Sequence, residues 1–235
     1  MPSRFVTCFS DRHGGVSRPP YASLNLGDHV SDDPECVATN RARLATEVGA
    51  DQVRWMDQVH GDEVVVLDTP REPTDRPPRC DGLVTALPGL ALGVLVADCV
   101  PVLMVDAHAG VAAAVHAGRR GVAHDIVARA LEVMVGLGAT EQRVEVLLGP
   151  SICGACYEVP HELQEELLSV VPAARATTRW GTPGLDLRVG LRDRLTGRVA
   201  SVALVGPCTF ESADHFSHRR DGVTGRTAGV VRFVV

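Results

Sequence analysis

The stretch from Ala97 to Gly121 holds a thiol, two histidines and a glycine-rich turn, the side chains of this chain best suited to chemistry. Cysteine and histidine are common zinc ligands, and three protein ligands with one open position form a catalytic zinc site. Cys99, His116 and the more distant His60 are therefore candidate ligands of Zn²⁺. The same thiol and imidazole could instead serve as a nucleophile, Cys99, and its general base, His116.

Two apolar segments in this stretch predict a β-hairpin that brings the thiol and one histidine together. Residues 100–105 and 111–115 are apolar and rich in valine, and the five residues between them are typical of a turn. With four residues in the turn, Val105 faces Gly110 and Cys99 faces His116, with Cβ atoms about 5 Å apart. With five residues in the turn, Cys99 and His116 become diagonal neighbours instead. A slip of one residue would send one side chain to the opposite face.

Other polar groups near the hairpin could assist a reaction. Asp98 should point to the opposite side of the strand from Cys99, where it could orient a histidine or act as a base. Arg119 and Arg120 lie between two glycines before a predicted helix, so backbone amides, a helix dipole and guanidinium groups could bind phosphate there. A plain turn with solvated arginines is the alternative.

The C-terminal part offers two further candidate groups. Arg219, Arg220 and Arg226 cluster with two glycines, and this cluster could meet an anion or form a solvated charge run, which is the favoured interpretation for Arg220. Cys156 lies in a turn before a helix, where it is either a second reactive thiol or a core residue.

Hydrophobic periodicity predicts the elements that position these groups. Because strands outnumber helices and include hairpin connections, the predicted fold is α+β, a mixed β-sheet sandwich with flanking helices, in a single domain 1–235. Residues 68–81 are rich in proline and charge and predict an exposed loop. Further strands are predicted at residues 4–9, 63–67, 90–96, 144–148, 200–205 and 230–235, and helices at residues 33–49, 122–136, 160–168 and 187–197.

Composition narrows the class of protein. A net charge of −6 argues against general binding to nucleic acid, so small molecules are the expected partners. No segment approaches the roughly 18 apolar residues needed to cross a membrane, and the first residues do not read as a secretory signal, so a cytoplasmic location is expected. Seven cysteines without a framework spacing predict reduced thiols. The absence of lysine excludes a Schiff-base mechanism.

An ordered set of motifs along the chain resembles one family. It is the multicopper polyphenol oxidoreductase (laccase) domain family, also called the purine nucleoside phosphorylase or peptidoglycan editing factor family. The resemblance implies its cysteine-hydrolase-like fold. The motifs that carry it are FSDRHGGVS, PYASLNLGDHVSDDP, QVHGD, CDGLVT, ADCVPV, VHAGRRG, GPSICGACYEVP and SHRRDGVTGR.

The resemblance also implies an activity and its cofactor. It implies a catalytic zinc held by His60, Cys99 and His116, phosphorolysis of adenosine, inosine and methylthioadenosine, and adenosine deamination as a further activity. Purine nucleoside and phosphate are then the partners. Polyphenol oxidation with copper is a disfavoured alternative, because multicopper sites need histidines in repeated clusters, which this sequence lacks. The chain departs from the family pattern at Arg119, which replaces a tryptophan, at Ala155 and at His218.

The motif match adds one arginine to the candidate site residues. Two other functions compete with the phosphorylase. Arg12 matches the FSxRxGG pattern of the family and is predicted to contact phosphate or substrate, with Arg120 and Arg219 as further candidates. One alternative is a cysteine-dependent hydrolase of peptidoglycan precursors. The other is a metal-stabilised binding protein, in which Cys80 or Cys156 would close the metal site with a fourth ligand.

Overall fold

Two β-sheets pack face to face in this protein, and helices cover their outer faces. The computed structural model describes residues 4–69 and 76–234. A six-stranded sheet lies between a layer of helices and a four-stranded sheet, whose far face is covered by a long helix. This arrangement confirms the predicted α+β sandwich with flanking helices.

The elements are numbered in chain order. The helices are α1 Pro34–Glu47, α2 Arg119–Ala123, α3 Ile126–Gly136, α4 His161–Leu168, α5 Leu187–Leu195 and α6 His218–Asp221. The strands are β1 Arg4–Phe9, β2 Val53–Arg54, β3 Val64–Val66, β4 Gly82–Thr85, β5 Ala91–Val96, β6 Val100–Asp106, β7 Val111–Ala117, β8 Glu145–Leu148, β9 Arg175–Thr177, β10 Pro183–Leu185, β11 Ser201–Leu204 and β12 Thr227–Val234.

Both large sheets are mixed, as predicted. The six-stranded sheet has the order β11-β8-β6-β7-β4-β3, and the four-stranded sheet has the order β1-β12-β5-β2. The pairs β3–β4, β8–β11 and β2–β5 are parallel, and the other pairs in these sheets are antiparallel. A small separate sheet pairs β9 with β10.

The side chains of β6 explain why the layers stack. Val102 and Met104 face the helical layer, whereas Leu103 and Val105 face the four-stranded sheet. A strand buried on both faces needs apolar residues at every position, which accounts for its unbroken apolar run. Helix α3 packs its apolar stripe against the outer face of this sheet.

Most predicted elements agree with the structure to within two residues at each end. The largest difference is the predicted helix at residues 122–136, which begins earlier and is divided into α2 and α3. Asp125, between them, adopts a left-handed backbone with φ 58°, and this conformation interrupts the helical hydrogen bonding. Residues 70–75 of the predicted loop, and Val235 of the last strand, lie outside the described residues.

None of the described helices has both the length and the apolar character needed to cross a membrane.

Candidate functional site

The hairpin of β6 and β7 forms with a register that differs from the predicted one. Asp106 pairs with Val111, so the turn comprises residues 107–110 and Pro101, not Cys99, lies opposite His116. The carboxylate of Asp106 accepts the backbone N–H groups of His108 and Ala109 at 2.9 and 3.0 Å. This capping moves the turn one residue along the chain. Cys99 is therefore diagonal to His116 but on the same face of the sheet.

The three predicted metal ligands converge at the end of this hairpin. His60, Cys99 and His116 place one ligand atom each within 4.8 Å of one another. The two imidazole rings meet edge to face with centroids 4.8 Å apart. Gly118 leaves space for them, because a Cβ atom there would lie 3.2 Å from Cys99 Sγ and 3.4 Å from His60 Cδ2.

The fully buried carboxylate of Asp81 fixes two of these ligands. It accepts a hydrogen bond from His116 Nδ1 at 2.7 Å, which leaves Nε2 of that ring as the atom available for a metal. It also accepts the backbone N–H groups of Val59, His60 and Gly61 at 3.2, 3.0 and 2.7 Å. These bonds hold the loop in which His60 adopts a left-handed backbone with φ 58°.

The thiol and the imidazole shift each other's pKa values in opposite directions. Burial raises the pKa of Cys99, but the neighbouring His116 and His60 outweigh that effect and lower it to about 6. Burial lowers the pKa of His116, but Cys99 and Asp81 outweigh it and raise the value to about 9. A thiolate beside an imidazolium is therefore the favoured charge state of the pair between these pKa values.

A cavity of about 380 Å³ opens beside the three ligands, between the ends of the two large sheets. Its volume lies in the range of small-molecule sites. Leu95, Val96, Ile152 and Tyr157 provide an apolar wall, and polar side chains from several loops surround it. The polar members of the lining are His29, Gln58, His60, Asp98, Cys99, His116, His218, Arg219 and Arg226.

Asp98 lines the cavity, but Asp81 rather than Asp98 orients His116. The two carboxylate oxygens of Asp98 accept the hydroxyl of Thr209 and the backbone N–H of Arg219, each at 2.7 Å. Its backbone adopts φ 90°, which turns the side chain toward these groups instead of a histidine. Asp98 therefore positions the segment that carries Arg219, and its predicted role as a base remains a prediction.

The structure brings one of the three predicted phosphate-binding arginines to the cavity. Arg219 lines it, with Cζ 5.2 Å from the centroid of the Tyr157 ring. Arg12 instead packs in its own loop, where its Nε donates to the carbonyl oxygen of Ala22 at 2.8 Å. Arg120 is exposed on α2 and lies outside the cavity lining.

Arg119, the departure from the family pattern in the glycine-rich turn, does not line the cavity either. Its Nη1 lies 3.5 Å from a carboxylate oxygen of Glu166, on a neighbouring helix. This departure from the family pattern therefore contributes no side chain to the lining of the cavity.

The sequence pattern does not reveal the positions of two residues of the site, Asp81 and Arg226. In the sequence, Asp81 is marked only by its place in the CDGLVT motif. Its role depends on the pairing between β4 and β7, which places it opposite His116. Arg226 belongs to the C-terminal arginine cluster, and its half-buried side chain lines the cavity. A half-buried arginine beside a cavity is a stronger candidate for anion binding than a solvated one.

Comparisons with known proteins agree with the motifs. A family model described as multi-copper polyphenol oxidoreductase laccase matches residues 6–234. Proteins named purine nucleoside phosphorylase from Mycobacterium tuberculosis and Streptomyces coelicolor are both 52% identical, over 223 and 227 residues, covering 94% and 95% of this chain and 88% and 93% of theirs. The crystal structure of YlmD from Geobacillus stearothermophilus has a TM-score of 0.87 at 30% identity, covering 98% of this chain and 92% of that one. The chain therefore belongs to the multi-copper polyphenol oxidoreductase laccase family.

Proposed function

We propose that this protein is a zinc-dependent purine nucleoside phosphorylase that acts on adenosine, inosine and methylthioadenosine, with adenosine deaminase activity as a side reaction. The observation that carries the proposal is the convergence of His60, Cys99 and His116 on the wall of a cavity of about 380 Å³. The names of the similar proteins support a nucleoside and phosphate as substrates.

The donor set fits zinc. One thiolate and two imidazoles are typical zinc ligands, and the carboxylate of Asp81 supplies the outer hydrogen bond that ligating histidines commonly make. Within the described chain, this group has three members, which would leave a fourth coordination position for a ligand in the cavity. Neither candidate ligand group among the described residues shows the repeated histidine clusters of a multicopper site, which favours zinc over copper.

The metal-stabilised binding protein is not favoured, because neither proposed fourth ligand joins the three. The thiol of Cys80 points to the carbonyl oxygen of Pro78 at 3.7 Å, and Cys156 belongs to a different cluster.

Different parts of the cavity would bind the base and the phosphate during phosphorolysis. A zinc ion would supply Lewis-acid polarisation of a ligand in its open position. The apolar wall suits a purine base, and the ring of Tyr157 holds the guanidinium of Arg219 over the cavity. Arg219 and Arg226 then position phosphate against the positive charge that develops on the sugar. The carbonyl oxygen of Glu158, which accepts from Arg219 Nη1 at 2.6 Å, fixes that side chain.

Base release from purified protein tests the function directly. Adenosine, inosine and methylthioadenosine should each release their base only when phosphate is present, and chelation of the metal should abolish the release. Base release without phosphate, or none from any of the three nucleosides, would contradict the proposal.

Replacement of Arg219 tests phosphate binding. Arg219→Ala should raise the KM for phosphate by about 10- to 100-fold, because a charge-assisted contact is lost. Arg219→Lys should recover only part of the affinity, since lysine lacks the bidentate fork. Arg120→Ala is the matched control, because Arg120 is exposed outside the cavity lining and its loss should leave KM unchanged. An unchanged KM in both Arg219 variants would remove this residue from the phosphate site.

Asp81→Asn tests whether the buried carboxylate supports the metal. Zinc affinity should fall by about 10- to 100-fold, because His116 loses its charged acceptor. Asp106→Asn is a matched control, since Asp106 is also buried and also accepts backbone N–H groups, but at the far end of the hairpin. Chelator competition measures the affinity, and thermal unfolding measures stability. Equal losses of zinc affinity in both variants would assign Asp81 a purely structural role.

A specific observation also favours the second candidate, a cysteine-dependent hydrolase of peptidoglycan precursors. Cys99, His116 and Asp81 reproduce the order of thiol, imidazole and carboxylate found in nucleophilic triads. The same three groups can therefore act as a metal site with its supporting carboxylate or as a nucleophile with its base.

A further inference from the structure

Three cysteines and a glutamate form a second cluster, separate from His60, Cys99 and His116. Cys153, Cys156, Cys208 and Glu211 each place a sulfur or a carboxylate oxygen within 4.8 Å of the others. Cys156 and Cys208 are buried, Cys153 is half-buried and Glu211 is exposed. The proposed phosphorolysis uses none of these side chains.

Two tight turns supply the four side chains, two from each turn. In the first, the backbone N–H of Cys156 donates to the carbonyl oxygen of Cys153 at 2.9 Å, which brings both sulfur atoms to one side. In the second, the backbone N–H of Ser212 donates to the carbonyl oxygen of Cys208 at 3.0 Å, and this turn carries Glu211. Pairs of ligands three residues apart on short turns are typical of structural zinc sites.

Hydrogen-bond donors, one of them a guanidinium, lie against two of the three sulfur atoms. The backbone N–H of Cys153 donates to Cys208 Sγ at 3.3 Å. Arg179 Nη2 donates to Cys156 Sγ at 2.9 Å and also pairs with the carboxylate of Glu211. A guanidinium nitrogen thus bridges two of the four donors. Burial and the neighbouring thiols raise the pKa values of Cys153 and Cys156, so these thiols stay protonated until a metal ion displaces their protons.

We propose that Cys153, Cys156, Cys208 and Glu211 bind a second zinc ion in a structural site. Three thiolates and one carboxylate provide four protein ligands, which is the closed coordination of structural zinc, and thiolates select zinc over magnesium or calcium. As the ion binds, each of the three thiols releases its proton to solvent, and no electron is transferred. Glu211 exchanges its ion pair with Arg179 for the metal.

This second site would stabilise one wall of the cavity. Ile152 and Tyr157 flank the first turn and line the cavity. Thr209, within the second turn, donates its hydroxyl to Asp98 at 2.7 Å. A metal ion that joins the two turns would therefore fix side chains of the cavity wall. The ion itself would not contact a ligand in the cavity.

Metal analysis in a Cys99→Ala background tests the site, because this change removes the thiolate of the first ligand set. The full-length variant should retain about one zinc per chain, as expected for a closed four-ligand site. Adding Cys208→Ser should lower the content at least about 10-fold, since a thiolate ligand is lost. Adding Cys36→Ser, on α1 outside the cluster, should leave it unchanged. Cobalt loading should give sulfur-to-metal charge-transfer absorption that Cys208→Ser removes.

Several results would overturn this assignment. They are a Cys99→Ala protein that holds no metal after loading with zinc, a zinc content that Cys208→Ser leaves unchanged, and a disulfide among the three cysteines in unreduced protein. If Cys208→Ser fails to fold, Glu211→Gln replaces it, because Glu211 is exposed. That variant should weaken zinc binding at least about 10-fold, and unchanged binding would also contradict the site. These readouts need no substrate, so they stand apart from the test of phosphorolysis.

Discussion

Each of the variants His60→Ala, Cys99→Ala and His116→Ala should lose about one zinc per chain and at least about 1,000-fold of the rate of nucleoside phosphorolysis. The reason is geometric, since all three ligand atoms lie within 4.8 Å of one another and each supplies one of three protein bonds to the ion. Elemental analysis of the purified proteins and base release with phosphate measure the two effects.

Matched controls separate metal loss from general disturbance. His108→Ala removes the other histidine of the hairpin, which is exposed in its turn, and should retain both zinc and activity. Cys36→Ser removes a thiol outside the site and should also retain both zinc and activity. Full zinc content in all three ligand variants would show that the ion binds elsewhere.

The alkylation rate of Cys99 should rise on the order of 100-fold when the metal is stripped. A zinc-bound thiolate donates its charge to the metal and reacts slowly, whereas a thiolate with a pKa of about 6 beside His116 is ionised at neutral pH and reacts rapidly. Mass spectrometry of protein treated with an alkylating agent, before and after chelation, gives both rates.

The same experiment decides between the proposed phosphorylase and the cysteine hydrolase. In a hydrolase, Cys99 labels rapidly in untreated protein, chelators leave activity unchanged, and alkylation abolishes it. Cys8, a half-buried thiol whose pKa is raised mainly by burial, serves as an internal reference, because its labelling should not respond to chelation. Rapid labelling of untreated protein together with chelator-insensitive activity would exclude the zinc mechanism.

The sequence alone determined the elements and most of the ligand chemistry. The unbroken apolar run of β5, the valine-rich strands of β6 and β7, and the capped helix α1 follow from local periodicity and turn chemistry, which act over a few residues. Residue types at His60, Cys99 and His116 indicated either a zinc site or a nucleophilic pair, because thiolate and imidazole serve both chemistries.

Tertiary structure decided how these groups are supported and which arginines reach them. Asp81 meets His116 only because β4 pairs with β7 in one register, and no short-range pattern contains that pairing. The packing of the two sheets places Arg219 in the cavity and leaves Arg12 in its loop. Such contacts join residues far apart in the chain, so local preferences, which act over one turn or strand, do not determine them.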